Sequence, residues 1–204
     1  AVKRFKENYH LVLSGSAGTG KTYLALALSL EEVLDKNTVY DKVVIVRSIV
    51  PTRDIGFLPG DEEEKKEAYT LPYKSIVKEL CLQDGSAWEK MIASGELEFM
   101  TTSFIRGITL SNAIVIVDEA QNCSGHELDS IITRLGRNTR LMICGDYYQS
   151  DFSKENEKKG FNQFMEILEQ LNQFEVVQFT WKDIVRSDVV RDYIMTKEHL
   201  GLRF

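Results

Sequence analysis

The chain has 204 residues, 43% of them hydrophobic, which is enough to bury the core of one domain that carries a small insertion. Its net charge of −6 and pI near 5.2 disfavour a wholly basic nucleic-acid-binding face but allow a local basic channel. The sequence has no apolar run near the roughly 18 residues of a membrane span, so no membrane partner is expected.

The first residues and the cysteines favour a cytoplasmic protein. Residues 1–4 are followed by polar residues rather than by an apolar stretch, so no signal peptide is expected. The three cysteines, Cys81, Cys123 and Cys144, are an odd number without metal-ligand spacing, and Cys81 and Cys144 are placed like small buried hydrophobes. A reducing compartment is therefore the expectation.

A phosphate-binding loop follows the first predicted strand, Leu11–Ser14, and precedes a helical pattern that begins at Tyr23. The loop matches G-x-x-x-x-G-K-[ST] at every position, which disfavours a chance glycine turn. Its amides and the helix N-terminus are expected to point at the phosphates of a nucleoside triphosphate, with Lys21 on the β- and γ-phosphates and the Thr22 hydroxyl on Mg²⁺. The predicted nucleotide-binding residues are Gly15, Ser16, Ala17, Gly18, Thr19, Gly20, Lys21 and Thr22.

An insertion is predicted between the second strand, Val43–Arg47, and the third strand, Leu97–Thr101. Residues 51–95 contain all three prolines and an acidic-basic run at residues 61–67. We expect this insertion to be a loop with two or three short helices, and we interpret the charged run as a solvated helix start.

Two acids follow the fourth predicted strand, Ala113–Val117, in which residues 114–117 are all apolar. A strand of this kind is buried on both faces, which indicates a parallel sheet with helices on both sides. At its C-terminal end, Asp118 is placed to hold Mg²⁺ and Glu119 to act as the general base toward water. The alternative is an ordinary acidic helix cap, which the pairing with the phosphate-binding loop disfavours.

A second polar strand end is predicted after Leu141–Cys144. The strand is preceded by a helix over Gly125–Leu135, with Gly136 as its C′ residue. Asp146 and Gln149 follow it, and we expect them to sense the γ-phosphate, although a simple Gly-Asp turn is the alternative.

The remaining elements complete an α/β prediction. They are a helix over Phe161–Leu171, a strand over Glu175–Phe179 and a last helix over Asp188–Lys197. Residues 1–204 are thus expected to form a single domain, with a parallel sheet sandwiched by helices.

Four arginines are candidates for a cation that stabilises the transition state of phosphoryl transfer. They are Arg134, Arg140, Arg186 and Arg191. An arginine finger contributes about 10³–10⁵-fold to the rate of other P-loop enzymes. Arg186 follows the last strand and Arg134 lies late in a helix, so these two are preferred, and structural salt bridging is the alternative for each.

These motifs together resemble the PhoH-like family. The matching segments cover nearly the whole chain and are Gly15–Thr22, Val46-Arg47, Gly56–Asp61, Glu64-Lys65, Tyr69, Pro72, Arg106–Leu110, Val117–Asn122, Thr133–Gly136, Gly145-Asp146, Gln149, Asp151 and Asp183–Arg186. The segment Gly56–Gly60 is more specific than the phosphate-binding loop, which many NTPases share. The chain departs from the family pattern at Ala68 and Ile108, where the family usually has proline and arginine.

The resemblance implies a RecA-like P-loop NTPase close to the first domain of superfamily 1 helicases, as in a short phage-type member. It also implies hexameric assembly and action on RNA. For single-stranded RNA the candidate contacts are Arg47, Arg53 and Arg106, with Phe57 and Phe104 as stacking surfaces. Core aromatics and surface arginines are the alternative for each.

The function predicted is Mg²⁺-dependent ATP hydrolysis coupled to RNA binding or unwinding. Because a superfamily 1 helicase closes its site between two such domains, a neighbouring subunit is expected to complete the site, with Arg186 or Arg134 acting in trans. Two alternatives stay open: a P-loop kinase acting on a small molecule, and a nucleotide-dependent switch or assembly protein with slow turnover.

Overall fold

A computed structural model describes residues 1–35, 37–48, 62–146 and 155–200. Thirteen helices and strands follow one another along this part of the chain: α1 (Val2–Lys6), β1 (His10–Ser14), α2 (Lys21–Val33), β2 (Lys42–Arg47), α3 (Glu62–Leu80), α4 (Ala87–Ser94), β3 (Leu97–Thr101), β4 (Ala113–Asp118), α5 (Gly125–Ile132), β5 (Thr139–Gly145), α6 (Glu155–Glu169), β6 (Phe174–Gln178) and α7 (Asp188–His199). Across these ranges, no helix combines the length and the apolar character that crossing a bilayer requires.

The six predicted strands form one sheet in the order β3-β2-β4-β5-β1-β6. Every neighbouring pair is parallel, which confirms the predicted parallel sheet. Because parallel strands all point the same way, the six strands end at one edge of the sheet, called here the carboxyl edge.

Two hydrophobic cores lie on the two faces of the sheet. Side chains alternate between them along each inner strand: Val43 and Ile45 belong to one core, and Val44 and Val46 belong to the other. Helices α1 to α4 cover the first face, and α5 and α6 cover the second. The arrangement confirms a sheet sandwiched by helices and explains why β4 is apolar from Ala113 to Val117.

Helix α5 ends at Ile132, three residues before the predicted end, and Gly136 is not its C′ residue. The amide of Leu110 donates to the carbonyl of Arg134, and the amide of Gly136 donates to the carbonyl of Leu110, so this segment pairs side by side with Leu110. A Cβ at position 136 would lie 2.8 Å from the backbone carbonyl oxygen of Leu110 and 2.3 Å from the hydroxyl oxygen of Ser111. Glycine is therefore required there by close backbone approach rather than by a helix cap.

The insertion differs from the prediction of short helices. Helix α3 runs for 19 residues with Pro72 inside it, and α4 adds 8 residues. The charged run does begin a helix, since α3 starts at Glu62. The predicted loop falls at residues 49–61, outside the described residues.

Arg140 was a candidate catalytic arginine, but the structure buries it far from the carboxyl edge. Its side chain is 3% exposed near the start of β5. The guanidinium donates to the carbonyl of Phe5 at 3.2 Å and to the side chain of Asn8, and it lies 4.4 Å from the Phe5 ring centroid. Arg140 therefore ties α1 to the sheet.

The contacts of His10 predict that the protein loses stability as the pH falls below about 6.5. Its Nδ1 accepts a hydrogen bond from the Leu141 amide at 2.9 Å. Burial, and then the charge of Arg140, lower the pKa of His10 below its usual 6.5. Protonation must break the hydrogen bond, so the unfolded state binds protons more readily. The free energy of unfolding is then complete above the unfolded pKa and decreases as the pH falls toward the lowered folded pKa.

Urea unfolding at about one pH unit above and one pH unit below the unfolded pKa of histidine will measure the decrease in the free energy of unfolding. A His10→Gln variant should reduce the pH dependence, whereas His126→Gln, at an exposed position of α5, should leave it unchanged. Equal pH dependence in the wild type and the His10 variant would contradict the assignment.

Candidate nucleotide-binding site

The residues predicted to carry the chemistry meet at the carboxyl edge. The phosphate-binding loop joins β1 to α2, Asp118 is the last residue of β4, and Asp146 directly follows β5. Since β5 lies between β4 and β1, these three strand ends are neighbours. The structure therefore places the three predicted segments next to one another.

The phosphate-binding loop is closed by its own polar groups. The Lys21 ammonium donates to the carbonyls of Gly15 and Ser16 at 2.6 and 2.7 Å, and the Thr19 hydroxyl donates to the Ser16 carbonyl at 2.8 Å. Gly20 is the N-cap of α2 and has φ +77°, a left-handed conformation that favours glycine. The start of α2 thus presents free backbone amides and a lysine to an anion.

A hydrogen bond joins the loop to β4. The Thr22 hydroxyl donates to Asp118 Oδ1 at 2.8 Å, and the Tyr73 hydroxyl of α3 donates to Asp118 Oδ2 at 2.8 Å. Asp118 is 5% exposed. Thr22 and Asp118 both offer oxygen, the donor that Mg²⁺ prefers alongside phosphate oxygens and water, so this pair fits the metal that the fold family implies.

Glu119 has the left-handed backbone conformation, with φ 50° and ψ 44°. Strained residues of this kind cluster at functional sites. Its carboxylate accepts a hydrogen bond from Gln121 Nε2 at 2.6 Å, and Gln121 Oε1 accepts one from the Asp146 amide at 3.0 Å. Gln121 therefore bridges the acid after β4 to the segment after β5.

Charges at this edge influence one another. Burial lowers the pKa of Lys21, and the nearby acids Asp146, Glu119 and Asp118 oppose that change. Burial, and then the charge of Asp118, raise the pKa of Glu119 above its usual value. A raised carboxyl pKa means a stronger base, as a group that accepts a proton from water needs.

Arg186 lies against the phosphate-binding loop of its own chain. A Cβ on Gly18 would lie 3.0 Å from Arg186 Cγ, and the Val185 amide donates to the Gly18 carbonyl at 3.1 Å. The segment that follows β6 therefore packs on the loop that follows β1, its neighbour in the sheet.

The other predicted catalytic residues lie away from the phosphate-binding loop or fall outside the described residues. The carbonyl of Arg134 pairs with Leu110, before the start of β4, so Arg134 lies at the edge opposite the loop. Arg191 forms an ion pair with Asp188 at 2.9 Å within α7. Gln149 falls outside the described residues.

The residues predicted to contact RNA divide into three groups. Phe104 is 63% exposed and Arg106 is exposed, with Ile105 fully buried between them. Arg47 is half-buried, and its guanidinium lies 5.6 Å from the Tyr69 ring centroid. Arg53 and Phe57 fall outside the described residues.

Glu127 secures the segment that presents Phe104. Its carboxylate accepts hydrogen bonds from the Ser48 hydroxyl at 2.9 Å, from the Thr102 hydroxyl, and from the Ser124 amide at 2.8 Å. Burial alone would raise the pKa of Glu127, but these hydrogen bonds lower it. One carboxylate thus joins the ends of β2 and β3 to the start of α5.

Sequence reasoning missed Tyr73 and the role of Gln121. Gln121 belongs to the run that was singled out, and its position two residues after Glu119 was the available signal. Tyr73 lies inside an insertion helix, and no motif spacing connects it to Asp118.

Comparisons with known proteins show what the chain is similar to. The family model described as "PhoH-like protein" matches residues 1–197. A PhoH-like protein of Bacillus subtilis is 32% identical over 194 residues, which cover 95% of this chain and 59% of that protein. Protein PhoH of Escherichia coli is 31% identical over 191 residues, which cover 91% of this chain and 52% of that protein.

A PhoH-like protein of Mycobacterium leprae is 31% identical over 194 residues, covering 92% of this chain and 54% of that protein. The chain thus spans about half the length of these curated relatives. Among solved structures, the helicase domain of Pyrococcus furiosus Hef matches with a TM-score of 0.43 and 15% identity, covering 94% of this chain and 38% of that one.

The geometry of Gly18 predicts a specific loss of nucleotide binding in Gly18→Ala. The matched control is Gly95→Ala, since both glycines have φ +80°, but nothing lies within 4 Å of a Cβ at position 95. Each alanine should cost about 1–2 kcal/mol of stability for its left-handed backbone. Only Gly18→Ala should weaken binding of a fluorescent ATP analogue, by about tenfold or more, since 1.4 kcal/mol corresponds to tenfold.

Thermal unfolding and an ATP-analogue titration of both variants check this prediction. Equal losses of affinity in the two variants, or no loss in Gly18→Ala, would contradict it.

Proposed function

The chain belongs to the PhoH-like family, and from that premise we propose that it is a Mg²⁺-dependent ATPase whose residues 1–204 form one P-loop NTPase domain. The observation that carries the proposal is the hydrogen bond between Thr22 and Asp118. It joins the loop that would hold the phosphates to the acid that would hold the metal, with Glu119 next to that acid. Family membership together with this loop supports an NTPase; hydrolysis of ATP is the proposal.

The chain's own residues supply the remaining steps. Lys21 exchanges its loop carbonyls for oxygens of the β- and γ-phosphates, and its charge offsets the charge that develops there. Glu119 orients a water and accepts its proton, aided by the raised pKa of its carboxyl. Thr22 and Asp118 would hold Mg²⁺, which would supply positive charge to offset that of the phosphate oxygens. Gln121 couples Glu119 to Asp146, because its side-chain amide forms hydrogen bonds with both residues.

Arg186 is proposed as the cation that contacts the γ-phosphate bound to its own chain. Its contact with Gly18 supports action in cis, which revises the expectation that it reaches a neighbouring subunit. Arg134 lies at the opposite edge, so any role in hydrolysis requires a second copy of the chain.

Single-stranded RNA is the proposed partner that stimulates turnover. Phe104 and Arg106 support it because a stacking surface and a cation are both exposed on one anchored segment.

A homo-oligomer, a hexamer by family resemblance, is proposed as the working assembly. Val189 and Tyr193 of α7 are 79% and 59% exposed, and exposed apolar groups of this kind are typical of contact surfaces.

We place the protein in the cytoplasm. Cys81, Cys123 and Cys144 are all free thiols, and Cys123 and Cys144 are buried. Burial raises the pKa of the Cys123 thiol to about 12, so this thiol remains protonated and unreactive. Such cysteines are typical of a reducing compartment.

Glu119→Gln should abolish hydrolysis while preserving ATP binding. Loss of a general base costs about 10²–10⁴-fold in rate, and the amide keeps the size of the side chain. The matched control is Glu166→Gln at an exposed position of α6, which should retain full activity. Phosphate release is measured with and without single-stranded RNA and DNA at low salt, alongside the mass by light scattering.

The outcomes of that experiment separate the functions considered. Unchanged hydrolysis in Glu119→Gln contradicts the mechanism. In a parallel incubation of the wild type with radiolabelled ATP and cell extract, labelled phosphate on a metabolite rather than free phosphate indicates a kinase. RNA that neither binds nor stimulates the wild type contradicts the RNA proposal alone.

Action of Arg186 in cis predicts that mixed variants do not rescue each other. If Arg186→Ala and Glu119→Gln chains are mixed, every subunit still carries a defect in its own site. The ATPase rate should therefore stay at the level of the separate variants at all ratios. Recovery at any ratio would place Arg186 in trans.

A further inference from the structure

Tyr73 presents a buried hydroxyl to the proposed metal-binding acid. Its side chain is 0% exposed, and its hydroxyl donates to Asp118 Oδ2 at 2.8 Å. The other carboxylate oxygen, Oδ1, already accepts a hydrogen bond from Thr22. Each oxygen of Asp118 therefore has a fixed donor, and the carboxylate cannot rotate without leaving a buried polar group unpaired.

A second tyrosine of the same helix contacts a neighbour of Asp118 in the sheet. Tyr69 lies one turn before Tyr73, and its ring faces the guanidinium of Arg47 at 5.6 Å. Arg47 ends β2 and pairs in register with Asp118. Burial alone would lower the pKa of Arg47, but Tyr73, Asp118 and Glu119 together raise it. Helix α3 thus contacts Asp118 directly through Tyr73, and through Tyr69 it contacts Arg47, the neighbour of Asp118 in the sheet.

Helix α3 is also held firmly on the sheet. The Tyr73 ring packs against Phe99 of β3 with 5.8 Å between ring centroids, and Val77, one turn later, is fully buried. Because α3 belongs to the insertion between β2 and β3, a displacement of the insertion would move the donor of Asp118 Oδ2. The insertion and the proposed metal site are therefore mechanically linked.

We propose that Tyr73 is a positioning residue that holds Asp118 in its metal-binding orientation, so that helix α3 sets the affinity of the site for the metal–nucleotide complex. The proposal rests on the proposed function, since it takes Asp118 as a metal ligand. Tyr73 acts through Asp118 and touches neither substrate nor metal. A merely structural tyrosine would affect stability but not the metal requirement.

Tyr73→Phe tests the proposal because it removes only the hydroxyl. The readout is the Mn²⁺ concentration needed for half-maximal metal binding in the presence of ADP, followed by electron paramagnetic resonance. Outer-shell partners of a metal site typically contribute about 10–100-fold to metal affinity, so a loss of this size is expected. Binding of ADP in EDTA should be unchanged. Tyr9→Phe, just before β1 at the opposite edge of the sheet, is the matched control and should behave like the wild type.

The outcomes distinguish this proposal from the proposed function. If the wild type binds no Mn²⁺ with ADP, both are overturned. If the wild type binds the pair and Tyr73→Phe has the same metal affinity within about twofold, only the role of Tyr73 is overturned. If Tyr73→Phe weakens ADP binding equally in EDTA and in Mn²⁺, the role of Tyr73 is also overturned, since the effect would then not concern the metal.

Hydrogen exchange of the wild type supplies a second measurement that needs no variant. Metal with ADP should increase protection of the α3 amides around Tyr73, whereas ADP in EDTA should not. Protection that changes in the phosphate-binding loop but not in α3 would overturn the link between the helix and the metal site.

Discussion

The constraint on which the structure depends is the common direction of six parallel strands. It places all strand ends at one edge, but adjacent strands are still about 4.8 Å apart, so the ends of β1 and β4 are separated by roughly twice that distance across β5. Two side chains close this gap: Thr22, from the first turn of α2, and Asp118, from the end of β4. The parallel sheet thus brings the ends of β1 and β4 near each other, and the hydrogen bond between the Thr22 hydroxyl and the Asp118 carboxylate joins them.

The same edge concentrates charge that the fold must tolerate. Asp118 and Asp146 are 5% and 4% exposed, and Glu119 is held close to them in a strained conformation. Lys21 and Arg47 are the half-buried cations that face these acids. A bound triphosphate would bring further negative charge to this edge, so under the proposed function a divalent cation held by Thr22 and Asp118 would offset the repulsion between the acids and the phosphates.

Sequence patterns predicted the parts of the fold that depend on local periodicity and on fixed motif spacing. The strands, the two-sided burial of β4 and the meeting of Lys21, Thr22, Asp118 and Glu119 belong to this group. Patterns failed where a contact between distant segments decides the outcome. Gly136 has the appearance of a helix cap, but the approach of Leu110 determines its role.

The same limit explains the missed residues at the site. Tyr73 is 45 positions from Asp118, and only the packing of α3 on β3 brings them together. Arg186 was singled out from the sequence, but its partner was not, because the pairing of β6 with β1 determines that it lies on its own Gly18.

The pairing of β6 with β1 has a consequence for the order of events during synthesis. A growing chain that has reached residue 170 already contains Lys21, Asp118 and Glu119, yet β1 still lacks its partner on one side, and Gly18 lacks its contact with Arg186. The phosphate-binding loop is thus completed by a segment that follows it by more than 160 residues. A translation product that stops before residue 186 carries the phosphate-binding loop without the arginine, so the site is complete only after that segment has been synthesised.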